Sequence, residues 1–323
     1  MPRLVSRRDF IGATLGGITL LGLENPVVAE NGTGFKKYHF EDTMKAALPN
    51  RIVKDWCIIV PRPENIAGYQ EILSHTAHCL EYPVPFKEVF DENQRPLLVG
   101  SIEGAAGTMP NTLSVVSTIE ANLFPIKGVH GNKTLSPVEQ VRYTQPLPSL
   151  NFTNPDVLQW FKDKQMVIGK DESVEDFSRR VMEFVFHNIP FGVSNDVLLS
   201  RVIKDQVGYD CSAHSAIPVG ILRANQIPSR LLAGRYIDGG LHIKCEAFDN
   251  GKGWIPIDAS FGIFAEHDGK HIAITRDTDL EVALPNMGNK TFTLMQMPAC
   301  YSQSYSGSLK DQSIKDSWNF TPL

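Results

Sequence analysis

Cys211, His242 and Asp258 are the residues whose types and order in this chain could carry covalent catalysis. A thiol attacks as the thiolate, so it needs a base to take its proton and a third group to orient that base. The three residues fall in one stretch, Gly208 to Asp258. It reads G-Y-D-C-S-A-H-S-A-I-P-V-G-I-L-R-A, N-Q-I-P-S-R-L-L-A-G-R-Y, then H-I-K-C-E-A-F and G-W-I-P-I-D-A-S. In such a system Cys211 attacks, His242 acts as base and then as acid, and Asp258 sets which ring nitrogen faces the sulfur.

The spacing assigns each residue an element. Ser212 to Ala224 is helical in content, which puts Cys211 in a first turn, where the amide ends favour a thiolate. Gly208 permits the turn before it, and Pro218 predicts a kink within the helix. Ser229 to Ile237 reads as a strand, and His242 to Phe248 as the next. By period two, His242, Lys244 and Glu246 share one face of that strand and Ile243, Cys245 and Ala247 the other. The turn Asp249-Asn250-Gly251 returns Gly253 to Asp258 as an adjacent strand, a hairpin able to set Asp258 beside His242. Further strand is expected over Gly262 to Ile274. Upstream, Asn154-Pro155 opens a short helix through Phe161. Ser173 with Asp176 opens a longer core helix that ends near Asn188, before Pro190.

These residues resemble the transglutaminase-like superfamily, a papain-related thiol fold. The resemblance rests on Gly208 and Cys211, Leu222-Arg223-Ala224, Ile227-Pro228, Gly234-Arg235-Tyr236, His242 with Glu246, and Gly253-Trp254 with Asp258. It implies an α+β fold: a helix-borne cysteine packed on an antiparallel sheet carrying the histidine and aspartate. It also implies acyl-enzyme chemistry on an amide, with no cofactor and no metal. Two positions depart from the pattern. The family's usual glycine before isoleucine-proline is Gln226, so a left-handed turn there falls to Gln226 or Asn225. Lys244 stands where tryptophan is common, and reads either as a cation for an acidic substrate group or as a solvated strand edge.

The rest of the chain frames this core. Ser6-Arg7-Arg8-Asp9-Phe10 precedes an apolar run, Ile11 to Leu23, too short and too glycine-rich to span a membrane. Residues 1–29 therefore read as an export signal similar to the twin-arginine type, and the mature protein as periplasmic or secreted. Residues 30–150 read as a β-sandwich-like domain, which resembles the extra amino-terminal domain of bacterial family members. Within it a short helix is expected near Gly68 to Leu80, carrying His75 and His78 beside Cys79. Pro146 to Ser149 reads as a linker, residues 151–290 as the catalytic core, and residues 291–323 as a polar, weakly patterned tail.

With 42% apolar residues, 21% charged and a net charge of −5, the chain has a globular composition and no basic face for nucleic acid. Five cysteines leave at least one unpaired. The reading is a cysteine peptidase or amidase acting on a peptide or protein, cell-wall peptide included. Amine transfer onto protein glutamine is the second outcome. A buried structural thiol in a silent binding module is a third. A zinc set of Cys211, His214, His242 and Cys245 has the spacing, but a strand turns His242 and Cys245 to opposite faces. The oxyanion falls to the Cys211 amide and a second donor, for which Gln206 is near in sequence. Tyr209, Tyr236, Phe248, Trp254 and Phe261 are the aromatic residues near the motif. Lys244 is expected to wet the site and so to favour hydrolysis over transfer.

Overall fold

The protein is described by a computed structural model that covers residues 34–48, 53–104, 109–194, 196–205, 208–285, 287–304 and 313–323. The export segment expected over 1–29 and Gln206 lie outside the described residues.

Alternating apolar and polar residues build the amino-terminal part from strands. These are β1 (Lys36–Ala47), β2 (Val53–Pro61), β3 (Gln70–Cys79), β4 (Lys87–Phe90), β5 (Pro96–Glu103), β6 (Thr112–Leu123) and the short β7 (Ile126–Lys127). Met44 and Ala46 of β1, Leu113 and Val115 of β6 meet Trp56, Ile58 and Val60 of β2 in one buried cluster, so two sheets share a core as a sandwich. Farther along the same face of β6, Ile119, Ala121 and Leu123 pack instead with Tyr38, Phe40, Ile272 and Ile274. The sandwich thereby continues into the core. The helix expected over Gly68 to Leu80 is instead the edge strand β3, paired antiparallel with β6. Its half-polar pattern carries little local signal, and the pairing decides. His75 there bonds the Ser117 hydroxyl at 3.0 Å.

Helices and one short strand then follow, ahead of the core sheet: α1 (Pro137–Arg142), α2 (Pro155–Asp163), α3 (Val174–Asn188), β8 (Phe191–Ser194), α4 (Leu199–Asp205) and α5 (Cys211–Ala224). Side chains cap four of them: Ser136 accepts from the Glu139 amide, Asn154 from Asp156, Ser173 from Asp176 and Asp210 from Ser212. The stretch expected as a linker is tied down, since the Ser149 amide and hydroxyl both donate to Asp279, at 2.9 and 2.7 Å. Helix α5 runs through Pro218 to Ala224, and Gln226 takes the left-handed turn after it at φ 60°.

The core sheet is antiparallel. It comprises β9 (Ser229–Tyr236), β10 (Leu241–Asp249), β11 (Gly253–Asp258), β12 (Ile263–Phe264) and, after the two-residue β13 (Glu266–His267), β14 (His271–Arg276). Their order is β12-β11-β10-β9-β14. Ile243, Cys245 and Ala247 of β10 join α5 and α3 in the largest buried cluster. Gly234 of β9 is required, because a Cβ there would strike the Ile272 carbonyl oxygen of β14. The architecture is α+β, as expected.

The last strands are β15 (Leu280–Leu284), β16 (Gly288–Phe292), β17 (Ala299–Ser304) and β18 (Ser313–Pro322). Residues expected as a tail return to the sandwich. β17 pairs with β2, and β18 pairs with β1 over ten residues, completing the sheets β17-β2-β5-β4 and β18-β1-β6-β3. A sheet edge supplies unpaired backbone groups, so even a polar segment can bind there through its main chain.

Candidate active site

Cys211 is the first residue of α5, after the Asp210 cap, and is the only one of the five cysteines that is not buried. His242 lies near the start of β10 and Asp258 at the end of β11. The hairpin between them lets the His242 Nε2–H donate to Asp258 Oδ2 at 2.7 Å. That bond leaves Nδ1 for the sulfur, and a hydrogen bond with Cys211 adds to the charge on the ring. Burial opposes that charge, but the Asp258 carboxylate and the Cys211 sulfur outweigh it and lift the imidazole to about 9. For Asp258 burial again opposes ionisation, and His242 and then Lys244 hold the carboxyl below its usual range. The other four thiols are pushed up, in each case chiefly by burial: Cys57 to about 11, with Cys79, Cys245 and Cys300 also raised.

Two aromatic rings wall the imidazole. Tyr236 stacks on His242 with centroids 5.0 Å apart, and Phe261, 42% exposed, stands at 5.3 Å on another side. Of the other nearby aromatic residues, Phe248 and Trp254 pack with Tyr143 in a separate cluster, and Tyr209 is buried. An apolar wall is thus present at the histidine, from two side chains of the five.

Lys244 is neither a solvated edge nor a cation open to substrate. It is 5% exposed, its Nζ donates to His267 Nδ1 at 3.3 Å, and it sits 4.9 Å from the Tyr236 ring centre. Burial lowers its pKa against the pull of Asp258. The expected wetting of the site by Lys244 is therefore overturned. Glu246, next on the same face, is fully buried between Arg230 and His130, at 2.7 and 2.6 Å. Burial opposes its charge, and those two partners outweigh burial to hold it at about 2. Arg230 in turn lies over the Trp254 ring at 3.9 Å.

As the two-residue period of a strand requires, His242 and Cys245 lie on opposite faces of β10: Cys245 faces α5 in the apolar cluster. His214 is buried within α5. Gln296 and Tyr69, which reach the site, carry no mark in the sequence, whereas His271 opens a stretch that resembles a flank of the family. The Gln296 side chain donates to the His242 carbonyl at 3.0 Å, and His271 Nε2 meets the same oxygen at 3.2 Å. Tyr69 bonds the other nitrogen of His271 at 2.8 Å, across 202 residues of sequence.

Residues 163–259 match the family model of the transglutaminase-like superfamily. No curated protein matches the chain. Among solved structures, a candidate cysteine protease from Cytophaga hutchinsonii aligns over 90% of this chain and 93% of its own, with a TM-score of 0.57 and 15% identity. The two share a fold over nearly their whole lengths. The periplasmic domain of TgpA from Pseudomonas aeruginosa covers 71% of this chain and 91% of its own at 14% identity, with a TM-score of 0.33. A candidate protease from Parabacteroides distasonis covers 62% and 42% at 12% identity, with a TM-score of 0.29. Both of these are too distant to carry an argument.

Proposed function

Residues 163–259 being a transglutaminase-like domain, we propose that the chain is a thiol-dependent enzyme that hydrolyses an amide or peptide bond through Cys211, His242 and Asp258. One observation carries the reading. The only cysteine that is not buried opens a helix beside an imidazole held at about 9 by a carboxylate 2.7 Å away. A protonated His242 is the partner a thiolate needs. Cys211 Sγ attacks the carbonyl carbon, and the oxyanion is met by the Cys211 amide at the helix end. As the C–N bond breaks, His242 gives its proton to the leaving amine and a thioester remains. Water then attacks the thioester and His242 takes one of its protons; the C–S bond breaks, releasing the acid and returning the Cys211 thiolate beside protonated His242. The substrate class is a peptide or protein, and the amino-terminal arginine pair supports an exported compartment.

The test is alkylation of the folded protein with iodoacetamide at pH 6. Cys211 is expected to label far ahead of the other four cysteines, and His242→Ala to slow it at least tenfold. Equal labelling across cysteines would return Cys211 to a structural thiol. Amine transfer is a second reading, favoured by the Tyr236 and Phe261 walls. With a glutamine peptide and millimolar primary amine, free acid is the expected main product. A dominant amine adduct, absent from Cys211→Ala, would make the enzyme a transferase.

A further inference from the structure

The main-chain carbonyl of His242 receives two side-chain donors, both from beyond residues 163–259. Gln296 Nε2 donates to it at 3.0 Å and to the Gly234 carbonyl at 2.6 Å, using both of its hydrogens. His271 Nε2 lies 3.2 Å from the same oxygen. A carbonyl only accepts, so His271 Nε2 carries the proton. Its Nδ1, in a ring kept neutral by burial and by Lys244, His242 and His267, is then free to accept. The donor to Nδ1 is the Tyr69 hydroxyl at 2.8 Å. Tyr69 is 1% exposed and lies between β2 and β3, in the amino-terminal part. Its ring stacks flat on His267 at 4.2 Å, and His267 accepts from Lys244, whose charge supports Asp258.

We infer that Tyr69 and Gln296 are positioning residues for His242, so the amino-terminal sandwich and the 291–298 segment complete the active site of the core domain. The inference rests on the proposed roles of Cys211 and His242. Two donors on one carbonyl fix the backbone from which the imidazole hangs, and the two arms arrive from opposite ends of the chain. An imidazole free to tilt by a fraction of an ångström loses its alignment with either the sulfur or Asp258. The titratable groups around the imidazole are Asp258 of β11, Cys211 of α5, Tyr236 of β9, His271 of β14 and Lys244 of β10, of which Asp258 and Cys211 raise its pKa, and neither Tyr69→Phe nor Gln296→Met replaces any of them.

The experiment is the rate of Cys211 alkylation by iodoacetamide from pH 5 to pH 10, in the full chain and in Tyr69→Phe and Gln296→Met. Phenylalanine keeps the stack on His267 and drops the hydroxyl; methionine keeps the length of glutamine and drops both donors. Each is expected to slow labelling at pH 6 about tenfold, the worth of the one hydrogen bond by which each arm acts on the His242 carbonyl, and to move the rise of the rate curve to higher pH. A variant that merely folds less well scales the whole curve down without moving it. Curves of unchanged shape in both variants overturn the inference, and should one variant fail to fold, the other tests the same carbonyl from its other side. The parent reading fails separately, by wild-type labelling that is not selective for Cys211 or is indifferent to His242→Ala.

Discussion

Strand β10 buries both of its faces, but against different parts of the molecule. Ile243, Cys245 and Ala247 press on α5 and α3 within the apolar cluster. His242, Lys244 and Glu246 look the other way, toward Asp258, His267, His130 and Arg230. Burial is the same and the chemistry is opposite. On the apolar side, stability scales with area and one side chain can replace another of similar volume. On the polar side, each group depends on a specific partner, because a buried charge without one costs far more than a lost contact. A strand built this way anchors the domain with one face and tunes a histidine with the other.

The sharpest way to break the contrast is at Glu246. Glu246→Ala removes the partner of Arg230 and of His130 together, leaving a buried guanidinium over Trp254 with no carboxylate. The expected loss is about 3–5 kcal/mol, read from the shift of the urea unfolding midpoint. A loss near that of an ordinary surface change would mean that the polar face is not a coupled row.

The second test uses pH. The folded pKa of His242 is raised to about 9, above the roughly 6.5 of an unfolded histidine. Its contribution to stability is therefore complete below the unfolded value and is lost as pH rises toward 9. The wild-type protein is expected to exceed His242→Gln by up to roughly 3 kcal/mol at pH 6, the gap closing by pH 9. Asp258, with its pKa lowered, works in the other direction, its share being lost only as pH falls below the unfolded carboxylate value. A gap that stays constant between pH 6 and pH 9 would sink the claim that the imidazole is charged in the folded state.

The contrast also marks what could be read from sequence. Period two sorts His242, Lys244 and Glu246 from Ile243, Cys245 and Ala247; the helix that carries Cys211 follows from its helical content after Gly208, and the hairpin that carries Asp258 from its turn residues. What covers the polar face did not follow. Lys244 reads from sequence as a cation for substrate or a solvated edge because its cover comes from His267 and Tyr236, and the strand itself says nothing of partners across the fold. Tyr69 and Gln296 carry no motif, since a tyrosine between two strands and a glutamine in a polar segment are ordinary until tertiary packing brings them to His242. β3 and β18 carry no strand signal for a related reason: edge strands are held by main-chain pairing, which leaves the side-chain pattern free.

The smallest expected effect belongs to the apolar face. Cys245 is fully buried, opposite Ile257 and against α5. Cys245→Ala removes one sulfur atom from a packed core, expected to cost about 1 kcal/mol through lost burial and the small void left behind. Because the side chain points away from His242, the alkylation rate of Cys211 at pH 6 should not change. The same variant tests the zinc set, in which Cys245 would be a ligand. If the protein purifies with one equivalent of zinc that leaves on Cys245→Ala, the two faces are joined through a metal and the separation argued for β10 is wrong. If labelling of Cys211 is unchanged while stability drops by the amount a buried thiol is worth, the face that packs and the face that reacts are independent.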